Sequence, residues 1–123
     1  MALILVIDDA PRMRQTIRRI LASAGHSVVE AEDGVAGLRC VDENRPDLVI
    51  TDIIMPNKEG IETIGDIRRR CPDIKIIAIS GSGAPEQALY LDAATALGAN
   101  AALAKPFRAH ELLALVDRLV AAA

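Results

Sequence analysis

The sequence predicts an α/β protein in which helices cover both faces of a doubly wound, five-stranded parallel sheet. Short apolar runs rich in Ile and Val alternate five times with segments whose apolar residues recur at helical spacing. Most positions within these runs are hydrophobic, as in strands that are covered on both faces. Gly and Pro separate the segments, so each connection is short and each right-handed crossover places a helix on one face of the sheet.

Five apolar runs are predicted as strands, in a repeating βα order. They are Leu3–Ile7, Val28–Glu30, Leu48–Thr51, Ile74–Ile79 and Ala101–Ala104. In a sheet of this kind, ligands bind at the carboxyl edge, where the strand order reverses. We therefore expect the functional residues to follow the strands.

Helical spacing is clearest in the first, third and last helical segments. The repeating apolar residues are Met13, Ile17, Ile20, Leu21 and Ala24, then Ile61, Ile64 and Ile67, then Leu112, Leu115, Val116 and Leu119. Pro11 suits a first helical turn, with Asp9 as the predicted cap. Gly25 and Gly98 are predicted to end the first and fourth helices.

Length and composition indicate one globular domain, predicted to span residues 1–123 without an effector domain. The 123 residues are 51% hydrophobic and 25% charged, with a net charge of −3. This acidic balance disfavours nucleic acid as a direct partner. No apolar stretch reaches the roughly 18 residues needed to cross a membrane, and no secretory signal is recognisable, so we expect no membrane partner and a cytoplasmic location.

The cysteines and histidines show no metal-binding spacing. Cys40 and Cys71 form no CxxC pair, so two reduced thiols are expected and neither a zinc site nor a disulfide. His26 and His110 are predicted to be surface residues.

Charged and hydroxyl residues follow four of the predicted strands. Asp8 and Asp9 follow the first strand, Asp52 the third, Ser80 the fourth and Lys105 the fifth. At about 4 Å and an effective dielectric constant of about 20, each pair of carboxylates would repel by about 4 kcal/mol. A hard divalent cation such as Mg²⁺ would offset this repulsion, since it prefers oxygen ligands.

The same residues suit phosphoryl transfer. Asp52 is the candidate nucleophile, because a carboxylate can attack phosphorus to form an aspartyl phosphate. The metal and Lys105 would stabilise the transferring oxygens, and Ser80 would donate to another. Each residue taken alone also fits a cap or a turn, so the prediction depends on their joint placement.

These motifs resemble the receiver domain of two-component response regulators. The resemblance rests on Val6 to Asp9, Asp47 to Asp52, Met55-Pro56 with Gly60, Ser80, and Lys105 to Phe107. It implies a flavodoxin-like strand order, 2-1-3-4-5. It also implies that a phosphohistidine on a sensor histidine kinase or a histidine phosphotransfer protein donates a phosphoryl group, with output by protein-protein interaction or phosphorelay. The domain would catalyse only its own phosphorylation and slow dephosphorylation.

The resemblance assigns a role to each site residue. Asp52 would be the phospho-acceptor, Lys105 the phosphate-pairing lysine and Ser80 the switch hydroxyl. The implied Mg²⁺ ligands are Asp8 (largely through water), Asp9, Asp52 and the backbone carbonyl of Ile54.

Two positions depart from the family pattern. Ala102 occupies the position of the usual switch aromatic, so the coupling of the hydroxyl to an aromatic side chain is not expected in its usual form. Ile54 cannot hydrogen-bond an attacking water, so we predict slow self-dephosphorylation and faster loss of phosphate in Ile54→Asn.

The arginines divide into two predicted groups. Arg12, Arg14, Arg18 and Arg19 lie on the first helix, which docks the phosphodonor in this family. Arg68, Arg69 and Arg70 close the third helix, where cations suit the helix dipole, and a structural role is predicted for them.

Three alternatives remain open at this point. A haloacid-dehalogenase-like phosphatase would need an acidic residue two positions after its nucleophile, where Ile54 follows Asp52 and Ala10 follows Asp8. A flavodoxin-like FMN carrier would need a phosphate loop where this chain has two aspartates. A receiver-fold binding module would not be phosphorylated at all.

Overall fold

Strands and helices alternate along the chain, as predicted. The computed structural model describes residues 1–53, 60–80 and 87–121. The strands are β1 (Leu3–Ile7), β2 (Ser27–Ala31), β3 (Leu48–Asp52), β4 (Lys75–Ser80) and β5 (Ala101–Ala104). The helices are α1 (Pro11–Ser23), α2 (Gly34–Asn44), α3 (Gly60–Arg70), α4 (Gln87–Ala96) and α5 (Ala109–Ala121).

The strands form one parallel sheet in the order β2-β1-β3-β4-β5, which confirms the expected 2-1-3-4-5 topology. The register pairs Ile7 with Thr51 across β1 and β3. It also pairs Asp52 with Ile79 across β3 and β4. Asp8 and Asp52 therefore occupy equivalent levels at the carboxyl edge of neighbouring strands.

Two apolar layers enclose the sheet. Leu5 and Ile7 of β1 pack on the side of α2, α3 and α4, whereas Ile4 and Val6 pack on the side of α1 and α5. Alternate residues of one strand thus enter opposite layers, which explains why nearly every position of β1 is apolar. The same holds for β3 and β4, which lie inside the sheet.

The two edge strands are less covered than the sequence suggested. β2 has one fully buried residue, Ala31, and β5 alternates between partly buried and exposed positions. Ala102, at the position of the usual switch aromatic, is one of the exposed positions of β5. Full coverage on both faces was therefore a wrong prediction for these strands, since an edge strand lacks a neighbour on one side.

Helix boundaries follow the predicted signals with one exception. Gly25 and Gly98 have φ of 88° and 125° and follow the first and fourth helices, where glycine is favoured. Asp9, however, does not cap α1. Because the helix begins at Pro11, Ala10 lies at the N-cap position, and its side chain forms no capping hydrogen bond.

The other polar signals need one correction. His26 is half-buried rather than a surface residue, because its Nδ1 accepts a hydrogen bond of 3.1 Å from the backbone N–H of Ala2. Cys40 and Cys71 are free thiols, as predicted, and burial raises the pKa of Cys40. Among the described residues, no helix is both long and apolar enough to cross a membrane.

Candidate functional site at the carboxyl edge of the sheet

Three carboxylates meet at the carboxyl edge of β1 and β3. Asp8, Asp9 and Asp52 each place one carboxylate oxygen within 4.8 Å of the other two. Asp8 is 2% exposed, Asp52 is partly buried and Asp9 faces solvent. We call this cluster of Asp8, Asp9 and Asp52 the acidic pocket.

Lys105 brings a positive charge to the acidic pocket from the end of β5. Its Nζ lies 3.4 Å from Oδ2 of Asp8 and 3.3 Å from Oδ2 of Asp52. The backbone N–H of Lys105 donates to the carbonyl of Ser80 at 2.8 Å, which fixes the lysine beside the end of β4. The predicted convergence of these strand ends is therefore present in the structure.

Backbone donors hold the second oxygen of two carboxylates. Oδ1 of Asp8 accepts from the N–H of Ala10 at 2.9 Å. Oδ1 of Asp52 accepts from the N–H of Ile53 at 2.8 Å. In both residues Oδ2 is therefore the oxygen directed to Lys105.

The electrostatics of the pocket oppose ionisation of Asp52. Burial raises the pKa of Asp52 above 3.8; Lys105 lowers it, and the neighbouring Asp8 raises it further. Three carboxylates against one ammonium group leave an excess of negative charge. The donor set consists of oxygens, which suits a hard divalent cation such as Mg²⁺.

Ser80 and the predicted metal ligand at position 54 stand differently. Ser80 ends β4 at this edge and is 1% exposed, with Ala104 as its partner on β5. Ile54 and the Met55-Pro56 turn lie outside the described residues. The structure thus brings Asp8, Asp9, Asp52, Ser80 and Lys105 to one edge.

Helix α3 begins directly against the main chain of the acceptor strand. The N–H of Gly60 donates to the carbonyl of Ile53 at 2.5 Å. A Cβ atom at Gly60 would lie 2.0 Å from the carbonyl oxygen of Asp52 and 2.5 Å from Cα of Ile53. Only glycine fits this contact, which gives a physical reason for the Gly60 that the sequence motif contained.

The four arginines of α1 do not form one free basic face. Arg14 and Arg18 both pair with Glu30 of β2, at 3.3 Å and 2.5 Å. Arg14 also donates to the backbone carbonyl of Asp8 at 2.6 Å. Arg12 and Arg19 are exposed, so the docking prediction is narrowed to these two.

The arginines that close α3 take part in structural contacts, as predicted. Arg68 donates to backbone carbonyls before β4 and before β5, and Arg70 pairs with Asp42 of α2 at 2.6 Å. Arg69 pairs with Asp66 on its own helix.

The fold and the acidic pocket define a doubly wound α/β domain with an acid cluster, a hydroxyl and a lysine at one sheet edge. A family model described as the response regulator receiver domain matches residues 4–117. The chain belongs to this family.

Curated relatives agree with the family model. The response regulator MprA of Mycobacterium sp. (strain KMS) is 38% identical over 118 residues, covering 95% of this chain and 50% of that protein. MprA of Mycobacterium leprae (strain TN) is 36% identical over the same shares. The chain spans about half the length of these relatives.

Solved structures agree at the level of the fold. The receiver domain of NtrX from Brucella abortus has a TM-score of 0.92 and 28% identity, covering 98% of this chain and 99% of that one. A response regulator receiver domain protein from Clostridium thermocellum has a TM-score of 0.90 and 32% identity, covering 98% and 94%.

Family membership decides among the readings left open by the sequence. The chain is a response regulator receiver domain, a module of phosphorylation-dependent two-component signalling. The phosphatase and the non-phosphorylated binding module are not favoured.

Proposed function

We propose that this chain accepts a phosphoryl group on Asp52, with Mg²⁺ bound in the acidic pocket. The observation that carries the proposal is the position of Asp52, whose Oδ2 lies 3.3 Å from Lys105 inside a cluster of three carboxylates. The donor would be a phosphohistidine on a sensor histidine kinase or a histidine phosphotransfer protein. The setting would be the cytoplasm, with neither nucleic acid nor membrane as a direct partner.

The geometry favours one oxygen of Asp52 as the nucleophile. Oδ1 accepts a hydrogen bond from Ile53, which leaves Oδ2 as the oxygen facing Lys105. In the reaction, an Asp52 oxygen forms a bond to phosphorus while the bond between phosphorus and the donor imidazole breaks. The imidazole nitrogen keeps that electron pair and leaves as neutral histidine after proton uptake.

Lys105 would change partners during transfer. In the metal-free pocket its ammonium group faces Asp8 and Asp52. Once Asp52 carries a phosphoryl group, the same ammonium would pair with a phosphoryl oxygen, because that oxygen bears the added negative charge. Ser80, at the adjacent strand end, is the proposed hydroxyl donor to another oxygen.

Mg²⁺ would supply charge neutralisation for the incoming phosphoryl oxygens. Its proposed protein ligands are Asp8, Asp9, Asp52 and the backbone carbonyl of Ile54. Asp9, the exposed member, is open to a cation arriving from solvent, whereas buried Asp8 is already engaged with Ala10 and Lys105.

The proposed output is a change in protein-protein interaction or onward phosphorelay from one receiver unit, residues 1–123. No enzymatic turnover of other substrates is proposed beyond phosphorylation and slow dephosphorylation of the chain itself. Slow loss of phosphate, inferred from Ile54, stays a prediction.

Intact-mass spectrometry after incubation with acetyl phosphate and Mg²⁺ tests this function. We expect a gain of one phosphoryl group per chain that disappears in Asp52→Asn and in chelator. Asp117→Asn, which removes an exposed carboxylate on α5, is the matched control and should keep the gain. Continuous release of phosphate without a stable adduct would support the phosphatase instead, and no reaction at all would support a binding module.

A further inference from the structure

Arg14 links the acidic pocket to the edge of the sheet. Its NH1 atom donates to the backbone carbonyl of Asp8 at 2.6 Å, while its Nε lies 3.3 Å from Oε1 of Glu30 on β2. The side chain is 18% exposed, against 52% for Arg18 on the next turn of α1. One guanidinium therefore bridges the end of β1 and the neighbouring strand.

We propose that Arg14 is a positioning residue for divalent-cation binding, which acts by holding the main chain of Asp8 and Asp9. The inference rests on the proposed function, because it concerns the same acidic pocket. It assigns to Arg14 a role in building the site instead of a role in partner docking.

The Asp8 carbonyl lies at a point where the sheet ends. The paired register of β1 and β2 finishes at Ile7 and Ala31, and the N–H of Asp8 still donates to Ala31 at 3.1 Å. The carbonyl of Asp8 instead accepts from Arg14. A hydrogen bond from a charged donor is stronger than one between neutral groups, so this contact orients the peptide between Asp8 and Asp9.

Glu30 fixes the guanidinium that makes this contact. Its two carboxylate oxygens accept from Arg14 and Arg18 separately, at 3.3 Å and 2.5 Å. Arg18 shares this partner and the same helix, but no contact of Arg18 with Asp8 is present in the described part of the chain. The two arginines therefore differ in the one contact that the proposal needs.

Charge alone predicts the opposite effect from positioning. Arg14 places a positive charge beside a site for a cation, so its removal should strengthen cation binding if only electrostatics mattered. If Arg14 holds the main chain of the ligands in place, its removal should weaken binding. Partners that orient metal ligands typically contribute about 10- to 100-fold in affinity.

Isothermal titration of the full chain with MgCl₂ distinguishes the two effects. We expect Arg14→Ala to weaken Mg²⁺ binding by about tenfold, and the matched variant Arg18→Ala to bind as the parent does or more tightly. Arg14→Lys keeps the charge but loses the planar fork, so it should also bind more weakly than the parent. If Arg14→Ala does not fold, Arg14→Lys decides the question.

Amide hydrogen exchange in chelator gives a readout that does not depend on the metal. We expect faster exchange at the Asp9 amide in Arg14→Ala than in the parent, and no such change in Arg18→Ala. Equal or tighter Mg²⁺ binding in both Arg14 variants, with unchanged Asp9 exchange, would overturn the inference. Absence of Mg²⁺ binding by the parent would instead contradict the proposed function, and Asp9 exchange would then decide the role of Arg14.

Discussion

Asp52 is a carboxylate whose ionisation is opposed by the fold in the absence of metal. Burial raises its pKa above 3.8, and the neighbouring Asp8 adds to this effect while Lys105 counters it. In the unfolded chain Asp52 releases its proton near 3.8, whereas in the folded chain it does so at higher pH. As pH rises through this interval the unfolded state binds fewer protons, so the free energy of unfolding falls.

Asp52→Asn should therefore be more stable than the parent at neutral pH in chelator. The gain over the parent should be smallest below pH 3.8 and should grow as pH rises toward the raised pKa of the folded state. Urea unfolding of both proteins across this interval measures the difference, with Asp117→Asn as the control for a lost negative charge. A parent that is more stable than Asp52→Asn at neutral pH would contradict the raised pKa.

At this scale the sequence predicted the pocket well and its supports poorly. Asp8, Asp9, Asp52 and Lys105 could be predicted to meet, because residues that follow parallel strands share one edge. The contact of Arg14 could not be predicted, since its partner Glu30 is fixed only by the pairing of β1 with β2. A basic helix face by itself reads equally well as a docking surface.

Among the elements, α3 is the one attached to the acceptor strand by backbone contact. Its first residue, Gly60, lies against the carbonyl of Asp52, whereas Gly65 one turn later has its nearest neighbour for an added Cβ, Arg69, at 3.6 Å. The two glycines of one helix thus differ sharply in the space around them.

Gly60→Ala should destabilise the protein by about 1–3 kcal/mol, because the new methyl group overlaps the backbone of Asp52 and Ile53. Gly65→Ala should be neutral or stabilise by about 0.5–1 kcal/mol, since alanine favours a helix interior and the space is sufficient. Chemical denaturation compares the two variants with the parent. Equal effects at both positions would show that the close approach at Gly60 is absent.

Arg68 joins three elements at the opposite edge of the sheet. It makes five hydrogen bonds, to the carbonyls of Pro72, Ile74 and Gly98 (the last from two nitrogens) and to Oδ1 of Asn100. The Asn100 side chain also accepts from the N–H of Ile76 in β4. This network fixes the end of α3 to the starts of β4 and β5.

Arg68→Met should lower the free energy of unfolding by about 2–3 kcal/mol, because several backbone carbonyls lose a charged donor at once. Arg69→Met is the matched control, since Arg69 is exposed and pairs only within α3 among its described contacts. We expect less than about 1 kcal/mol for that change. Thermal and urea unfolding of both variants check the contrast.

Element boundaries show what local sequence signals can and cannot decide. Gly25 and Gly98 ended helices as predicted, because their left-handed φ values are local properties of the chain. The start of α1 was misjudged because Asp9 and Ala10 both precede Pro11, and only the structure shows that Ala10 occupies the cap. The partial exposure of β5 depends on its place at the edge, which sequence periodicity does not report.

For the molecule as a whole, cation binding and folding are linked through the acidic pocket. A ligand that binds only the folded state stabilises it by mass action, by about 2.7 kcal/mol at a concentration 100 times its dissociation constant. Mg²⁺ at that concentration should therefore raise the melting temperature of the parent. Asp52→Ala should show a much smaller rise, and Asp117→Asn the full one, as differential scanning calorimetry would measure.

The global fold was predictable in part from pattern and in part only from resemblance. Alternating apolar runs and helical segments indicated a parallel sheet with helices on both faces, and the two apolar layers confirm this. The strand order 2-1-3-4-5 came from the family resemblance, because periodicity alone does not say which strand lies beside which.

The two ion pairs of Lys105 join residues that are far apart along the chain. Lys105 lies 97 positions after Asp8 and 53 after Asp52, and it arrives with the last strand. A nascent or truncated polypeptide that ends before β5 would carry the acceptor aspartate without its ammonium partner. Competence to receive a signal would thus be reached only once the final strand has docked, so an incompletely synthesised chain could not draw phosphate from its donor.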